Sequence, residues 1–306
     1  MNMDFKEITA ESFTTVNHYA NQRLMYIAER QFVNEFIWSG FYRTKYADTG
    51  KFLFFLIQVL GEDGALAPFC KVEEIPDAFM QIKQYFNEER KLPLKMYLVD
   101  ETAANIIKEL PGFDEEFELI EFRDGFDYIY DAEKLRTLSG RKMHKKKNHL
   151  NNFLKNYDGR YEYRHLCCEN MEDVKTFHKN WLQTREITDK NNSIDKEEEG
   201  ILRLMSNCGQ IDYRCGGVYI DGKLEAYSIG SYAPEIECAF IHIEKANASI
   251  NGLYNFINQQ MLIHEFPDAK LVNREDDLGQ EGLRKSKLSY SPLRLEPKYH
   301  IFQKKM

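Results

Sequence analysis

The chain of 306 residues has no apolar run of the roughly 18 residues that a membrane-spanning helix needs; its longest lies near Phe52–Leu60. Its N-terminus, MNMDFKEITAESF, has neither a basic segment nor an apolar one behind it, so no secretory signal is expected. The six cysteines, Cys70, Cys167, Cys168, Cys208, Cys215 and Cys238, form no CxxC pair and show no zinc-like spacing. No metal site is therefore expected, and the thiols read as the reduced cysteines of a cytoplasmic protein. Positive charge is in the minority, with 41 Lys and Arg against 49 Asp and Glu and a formal net charge of −8. Such a balance argues against a protein that coats nucleic acid in bulk, but it leaves room for a local basic site holding one phosphate-bearing ligand. What the chain does have is apolar material: 43% of residues are hydrophobic and 13% aromatic, enough for the cores of two ordinary domains.

One stretch runs against the overall charge. In GRKMHKKKNHLNNF (140–153), Arg141, Lys142, Lys145, Lys146 and Lys147 fall within seven positions, with His144 among them and His149 just beyond. At helical spacing Leu138, Met143 or Lys142, His149 or Leu150, and Phe153 can face the protein, which leaves Arg141, Lys145 and Lys146 free. A charge run of this kind is a solvated helix face, a surface that contacts phosphates or, as the weakest reading, a nuclear-localisation-like signal. Asn148 and Asn152 add hydrogen-bonding capacity for which a purely solvating face has little need.

The second half reads most clearly. A strand at 160–166 is followed by helices at 170–186 and 193–208. Two strands then meet at Asp221-Gly222, a hairpin dipeptide, and a third follows Pro234. A helix at 249–266, a short strand at 269–275, a helix at 278–290 with a weak start at Asp277, and a last strand complete the order β-α-α-β-β-β-α-β-α-β. The polar stretch 189–199 reads as a loop that can cover a cleft. The first half is a looser copy: a helix at 21–38, a buried strand at 51–60, a turn at Glu62-Asp63-Gly64, a helix at 75–90, a strand, a helix opened by Asp100, and one or two strands to Asp131. The expected class is mixed α/β, with a domain at 1–131, a basic linker helix at 132–158 and a second domain at 159–306.

The element order resembles the GNAT acyltransferase fold, so two tandem GNAT-like domains are expected. More specifically, DYIYDAEKLRTLSGRKMHKKKNHLNNF together with NREDDLGQEGLRKSKLSYSPLRLEPKY resembles the C-terminal domain family of phosphatidylglycerol lysyltransferase, in particular its stand-alone tandem members. The resemblance implies transfer of an aminoacyl group from a charged tRNA, or of an acyl group from a thioester such as acetyl-coenzyme A, to an amine or hydroxyl acceptor on a small molecule or peptide. GNAT enzymes hold the coenzyme A pyrophosphate with backbone amides in a Q/R-x-x-G-x-G/A loop ahead of a helix. The matching segment here, KANASINGLYN (245–255), has only Gly252 and lacks that pattern, although Ser249 can cap a helix N-terminus there and hold an anion.

The second motif carries the best candidates for chemistry. Asn273, Arg274, Glu275, Asp276 and Asp277 begin at the carboxyl end of an expected strand, where open α/β sheets place ligands. Glu275 or Asp276 can bind an amine or take its proton, and Arg274 can hold a carboxylate or phosphate in bidentate fashion. Arg284, Lys285 and Lys287 sit on the next helix. The resemblance to peptidoglycan-bridge aminoacyltransferases implies that Lys287 stabilises charge at the transferred carbonyl. Acetyltransferases often carry a tyrosine acid in this helix; Lys285 falls in its place, and Tyr290 lies one turn on. Arg141, Lys145, Lys146, Lys147 and Asn148, with Ser249, Asn273, Arg274, Arg284 and Lys285, are the residues expected to grip the donor. Glu237, Glu244 and His242 are weaker candidates on or beside the strand before. The competing reading of the whole is a non-catalytic module that binds a nucleotide or RNA.

Overall fold

A computed structural model describes residues 3–183 and 193–304. Along the chain the strands are β1 (Lys6–Glu7), β2 (Lys45–Asp48), β3 (Leu53–Val59), β4 (Glu62–Leu66), β5 (Lys95–Asp100), β6 (Phe117–Glu121), β7 (Asp127–Asp131), β8 (Tyr161–His165), β9 (Arg214–Ile220), β10 (Lys223–Ala233), β11 (Cys238–Ala246), β12 (Leu271–Asn273), β13 (Arg294–Glu296) and β14 (Lys298–Gln303). The α-helices are α1 (Phe13–Ala20), α2 (Phe32–Tyr42), α3 (Ile75–Gln84), α4 (Glu101–Lys108), α5 (Phe113–Glu116), α6 (Ala132–Thr137), α7 (His144–Asn156), α8 (Met171–Gln183), α9 (Ser193–Ser206), α10 (Leu253–His264) and α11 (Glu281–Leu288). Two compact units result, Met1–Asp127 with Glu296–Met306, and Tyr128–Leu295.

The first unit is built on the sheet β1-β2-β3-β4-β5-β14-β6, the second on β13-β7-β12-β11-β10-β9-β8. In the first sheet β4 and β5 are the one parallel pair among antiparallel neighbours. In the second, β11 and β12 are parallel in the same position, and α10 spans between them as α3 does in the first. Turn chemistry follows the residues closely. Asp221 and Gly222 have φ of 51° and 80°, as a two-residue type I′ hairpin requires. The first sheet uses Leu60 and Gly61 in the same way, at 53° and 83°, so the turn falls earlier than expected and Glu62-Asp63-Gly64 lies inside β4.

Several other expectations shift. The helix expected at 21–38 is interrupted: a 3-10 turn covers Ala28–Arg30 and α2 begins only at Phe32. Before the helix starts, Arg23 reaches the distant Asp100 and Arg30 turns back to donate to the Met25 carbonyl within the segment. Of the polar stretch 189–199, residues 189–192 lie outside the described residues, and α9 starts at Ser193.

The division differs from the one read along the chain. The basic segment, expected as a linker helix over 132–158, is α6, a 3-10 turn and α7, all within the second unit. Leu150 and Phe153 of α7 are buried, with the Phe153 and Phe256 rings 4.7 Å apart. A Cβ at Gly252 would lie 2.1 Å from the His149 carbonyl oxygen, so glycine there lets α7 and the start of α10 approach closely. The expected single last strand is two strands in different sheets. Pro297, which has no N–H for a ladder, separates β13 from β14, and β14 takes the place between β5 and β6. The corresponding place in the second sheet is filled by β7.

Candidate active site

The backbone frame comes from β11 and β12. They pair over three residues only, Cys238↔Leu271, Ala239↔Val272 and Phe240↔Asn273. Beyond that point β11 runs on to Ala246 while Arg274 and Glu275 stay bonded to Tyr128 of β7, the Arg274 N–H to the Tyr128 carbonyl at 3.1 Å and the Tyr128 N–H to the Glu275 carbonyl at 3.2 Å, so the chain parts from β11 at the carboxyl ends of a parallel pair. A β-bulge sits at the same level. Ile229 faces Ile243 and Gly230 faces Ile241, which makes His242 the extra residue. Gly230 accommodates the bulge because a Cβ there would be 2.5 Å from the Phe240 carbonyl oxygen. After the bulge the side chains change face. Ala239 and Ile241, then Ala246, join the core cluster that includes α10, and Glu244 meets Asn258 of that helix. Lys245 points the other way, to Glu197 of α9 and the Trp181 ring of α8.

On the α10 side, Arg274 is the centre. Its Nη2 donates to Glu244 Oε1 at 2.8 Å, and Asn258 Nδ2 donates to Glu244 Oε2 at 2.9 Å. The guanidinium lies 4.8 Å from the centre of the Tyr290 ring and 5.8 Å from that of Tyr130. Its Nη1 is buried with no hydrogen-bond acceptor among the described residues. Burial alone would ease its proton off, but Glu244 and the two phenols hold it firmly charged. Asn255 donates to the Tyr290 hydroxyl at 2.6 Å, and burial pushes that phenol up to about 12 despite Arg274. Lys287 Nζ donates to the Arg274 carbonyl, and the Tyr130 hydroxyl donates to the Lys287 carbonyl at 2.9 Å. Lys146, expected to be free, is half-buried with Nζ 4.1 Å from the centre of the Tyr290 ring. Burial, then Arg274 and Lys145, lower its affinity for the proton.

On the opposite face, three side chains form a line. Ser231 Oγ is 2.8 Å from His242 Nε2, and His242 Nδ1 is 2.8 Å from Glu275 Oε1. The His242 side chain is fully buried, whereas 22% of the Glu275 side chain is exposed. Glu275 has φ of 56°, in the left-handed region, and its N–H donates to Asn273 Oδ1 at 2.6 Å. Asn273 is thus a buried turn-former that sets the direction of Glu275.

The remaining expected residues divide. Asp277 caps nothing by the expected route; α11 starts at Glu281, with Gln280 as its cap residue. Asp277 instead accepts from Arg284 Nε and Nη2, both at 2.8 Å, from the Gly279 N–H and from the Tyr128 hydroxyl. Burial raises its carboxyl, but these donors outweigh burial and hold it at about 2. Arg284 is thereby committed to the loop, and Asp276 Oδ1 accepts from the Leu278 N–H in the same turn. Lys285 is exposed on α11. Ser249 lies upstream of α10, bonded to Asn247 Oδ1 through both its N–H and its hydroxyl. Arg141, Lys145, Lys147 and Asn148 are exposed on α7 and the turn before it. The structure therefore gathers Arg274, Lys287, Tyr290 and Lys146 on one face and sets Glu275 on the other. Sequence reasoning missed Ser231, Asn255, Asn258 and Tyr130; a lone Gly230 inside a strand pattern was the available sign of the bulge beside Ser231.

With this geometry in place, comparison with known proteins is informative. The family model for the C-terminal part of phosphatidylglycerol lysyltransferase matches residues 21–302. An uncharacterised protein of Mycoplasmoides gallisepticum, MYCGA3080, is 26% identical over 228 residues, covering 74% of this chain and 70% of that one. The crystal structure of a conserved protein of unknown function from Bacteroides thetaiotaomicron superposes with a TM-score of 0.88 at 27% identity, covering 99% of this chain and 100% of that one. The C-terminal domain of a putative lysylphosphatidylglycerol synthetase from Agrobacterium fabrum shares the fold, with a TM-score of 0.65 at 13% identity and coverage of 97% and 92%.

Proposed function

We propose, from the premise that the chain belongs to the phosphatidylglycerol lysyltransferase C-terminal family, that its second unit transfers an aminoacyl group from a charged tRNA to an amine or hydroxyl acceptor. The fold is that of an acyltransferase with two GNAT-like halves. One observation carries the choice of donor: Lys146 belongs to the same helix that presents Lys145 and Lys147 to solvent, yet it reaches into the cluster of Tyr290 and Arg274. A polyanion lying on α7 would have its reactive end beside that cluster. In this reading Arg141, Lys145, Lys147 and Asn148 contact backbone phosphates. The orphaned Nη1 of Arg274, with Lys287 and Lys146 near it, supplies donors and positive charge for the oxyanion that forms at the transferred carbonyl. Glu275 takes the acceptor's proton.

Coenzyme A fits this chain poorly. Three amides ahead of α10 are committed: Ser249 N–H to Asn247 Oδ1, Ile250 N–H to the Asn247 carbonyl, and Leu253 N–H to the Ile250 carbonyl. The His149 carbonyl oxygen presses on Gly252, so an acceptor already stands where a pyrophosphate would need donors.

The test is binding of total aminoacylated tRNA, deacylated tRNA and acetyl-coenzyme A to the intact chain, read by thermal unfolding and by filter binding across salt. Charged tRNA is expected to raise the midpoint. Replacing Lys145 or Lys147 by Ala should lower the log–log salt slope by about one each. A midpoint raised by acetyl-coenzyme A alone, or a slope indifferent to Lys145→Glu and Lys147→Glu, overturns the proposal. A response to deacylated tRNA equal to that of charged tRNA, without transfer, favours the non-catalytic module.

A further inference from the structure

We infer that Ser231 and His242 are positioning residues that hold the Glu275 carboxylate as the proton acceptor of the transfer step, an inference that rests on the transferase reading above. The three side chains have the distances of a serine–histidine–acid triad, 2.8 Å at each link. Burial runs in the opposite sense to that needed by a nucleophilic serine. Ser231 is 4% exposed and the His242 side chain is closed off, whereas 22% of the Glu275 side chain is exposed. The end of the line that meets a substrate is the carboxylate, not the hydroxyl.

The hydrogen bonds determine where the protons sit. An ionised carboxylate only accepts, so His242 Nδ1 carries a hydrogen toward Glu275. With Nδ1 donating to Glu275, a neutral ring has Nε2 left to accept from the Ser231 hydroxyl. Ser231 thereby selects the tautomer, and the tautomer fixes Glu275. The backbone acts to the same end. The bulge aims His242 at the parting of β11 and β12, and the turn at Asn273 places Glu275 opposite it in a left-handed conformation. Three separate local devices converge on one carboxylate oxygen.

The step balances without a further reactant. The acceptor nitrogen or oxygen attacks the ester carbonyl of the aminoacyl donor, forming the new bond to carbon while the carbonyl electron pair moves onto oxygen. Glu275 takes the proton from the attacking atom. The tetrahedral intermediate collapses, the carbon–oxygen bond to the ribose breaks, and the departing oxygen receives the proton from Glu275. The products are the aminoacylated acceptor and a free ribose hydroxyl.

The first measurement is nitrogen-15 NMR of the histidine rings in the intact chain near neutral pH. His242 is expected neutral with its hydrogen on Nδ1. Ser231→Ala should release that tautomer, and Glu275→Gln should weaken the Nδ1 hydrogen bond. A wild-type His242 protonated on Nε2, or on both nitrogens, overturns the inference and needs no substrate to do so. The second measurement is transfer from total aminoacylated tRNA to a panel of primary amines and to phosphatidylglycerol vesicles. Glu275→Gln and His242→Gln should lower kcat by about 10²-fold or more with KM for the donor unchanged, provided their unfolding midpoints match the wild type. If the wild type transfers and both variants match it, the inference falls and the transferase reading stands. If the wild type transfers nothing, the transferase reading falls, and with it any role for the line in transfer. An acyl adduct found by mass on Ser231 would make serine the nucleophile and overturn the positioning role.

Discussion

The two sheets carry their parallel pairs in the same position, but they treat the charges at the carboxyl ends of those pairs differently. At the end of β5, Arg23 bonds to Asp100 at 2.9 Å, and Lys298, which pairs across from Asp100 in the sheet, is held by Glu29 and Asp127 at 2.8 Å each. The Lys298 side chain is 1% exposed and Asp127 is fully closed off. At the end of β12 the equivalent place holds Arg274, Glu275 and the approaching Lys146, with part of Glu275 open to solvent and Lys146 only half-buried. The same topology has made a sealed ionic plug in one unit and an accessible cluster in the other. Position in a fold therefore does not distinguish a site from a scaffold; exposure of the charged ends does.

Substitutions can break that contrast, beginning with the largest effect. Lys298→Met leaves two carboxylates buried without their cation, and should cost about 3–5 kcal/mol in urea unfolding. A loss under about 1 kcal/mol would mean that the plug is not sealed. Gly252→Ala forces a side chain into the left-handed region and onto the His149 carbonyl, at φ of 86°. It should cost roughly 2–4 kcal/mol and weaken tRNA binding by displacing α7. Retained stability with normal binding would show that α7 is not held at α10 as described.

The plug should also show in pH dependence. Burial, opposed by Lys298 and reinforced by Asp127, pushes the Glu29 carboxyl from 4.5 up to about 7. Folded Glu29 therefore holds its proton where the unfolded chain has lost it. Its contribution to stability is full below 4.5 and declines as pH rises toward 7. Glu35, raised first by burial and then by Glu29, acts in the same direction. Glu29→Gln should flatten the stability profile over that window by on the order of 2 kcal/mol; an unchanged profile contradicts a buried Glu29.

The site cluster should respond more weakly in stability and more strongly in binding. Lys146→Ala removes a cation from the Tyr290 ring and should cost about 1 kcal/mol or less, while reducing donor affinity. Lys145→Ala should leave the unfolding midpoint in place and change only the salt slope. Equal behaviour of the two lysines would dissolve the distinction between the cluster and the solvent face of α7. The smallest effects are expected from Ser249→Ala and Lys285→Ala, within about 0.5 kcal/mol in stability and without loss of donor binding. Loss of binding in either would return that residue to the site.

Some of this was legible along the chain because it depends on neighbouring residues. The Asp221-Gly222 hairpin, the Asp100 cap of α4, the succession of elements from β8 to β12 and the placing of Arg274 and Glu275 at a strand end all rest on periodicity or turn chemistry. The basic segment was legible as a helix and its buried Phe153 as part of the inward face, whereas the choice between His149 and Leu150 was left to the fold, which buries Leu150. That Lys146 would turn inward was not legible, because the feature that draws it in, the Tyr290 ring, lies far along the chain. Arg284 and Asp277 looked like site residues for the same reason in reverse. Their mutual pairing and the Tyr128 hydroxyl that completes it depend on β7, which no local pattern assigns to the second sheet.

The order of the residues, read alone, was enough for the mixed α/β class and the strand end where charge accumulates; the two GNAT-like halves came from the resemblance that this element order carries. Those features follow from hydrophobic period, turn dipeptides and helix caps, which act over a few residues. Folding alone decided that β7 joins the second sheet and β14 the first, that the bulge at His242 joins Ser231 to Glu275, and that one of the five basic residues between Arg141 and Lys147 leaves the solvent face. Each of these is a contact between segments distant in sequence, set by which buried surfaces pack together and which polar groups then find partners.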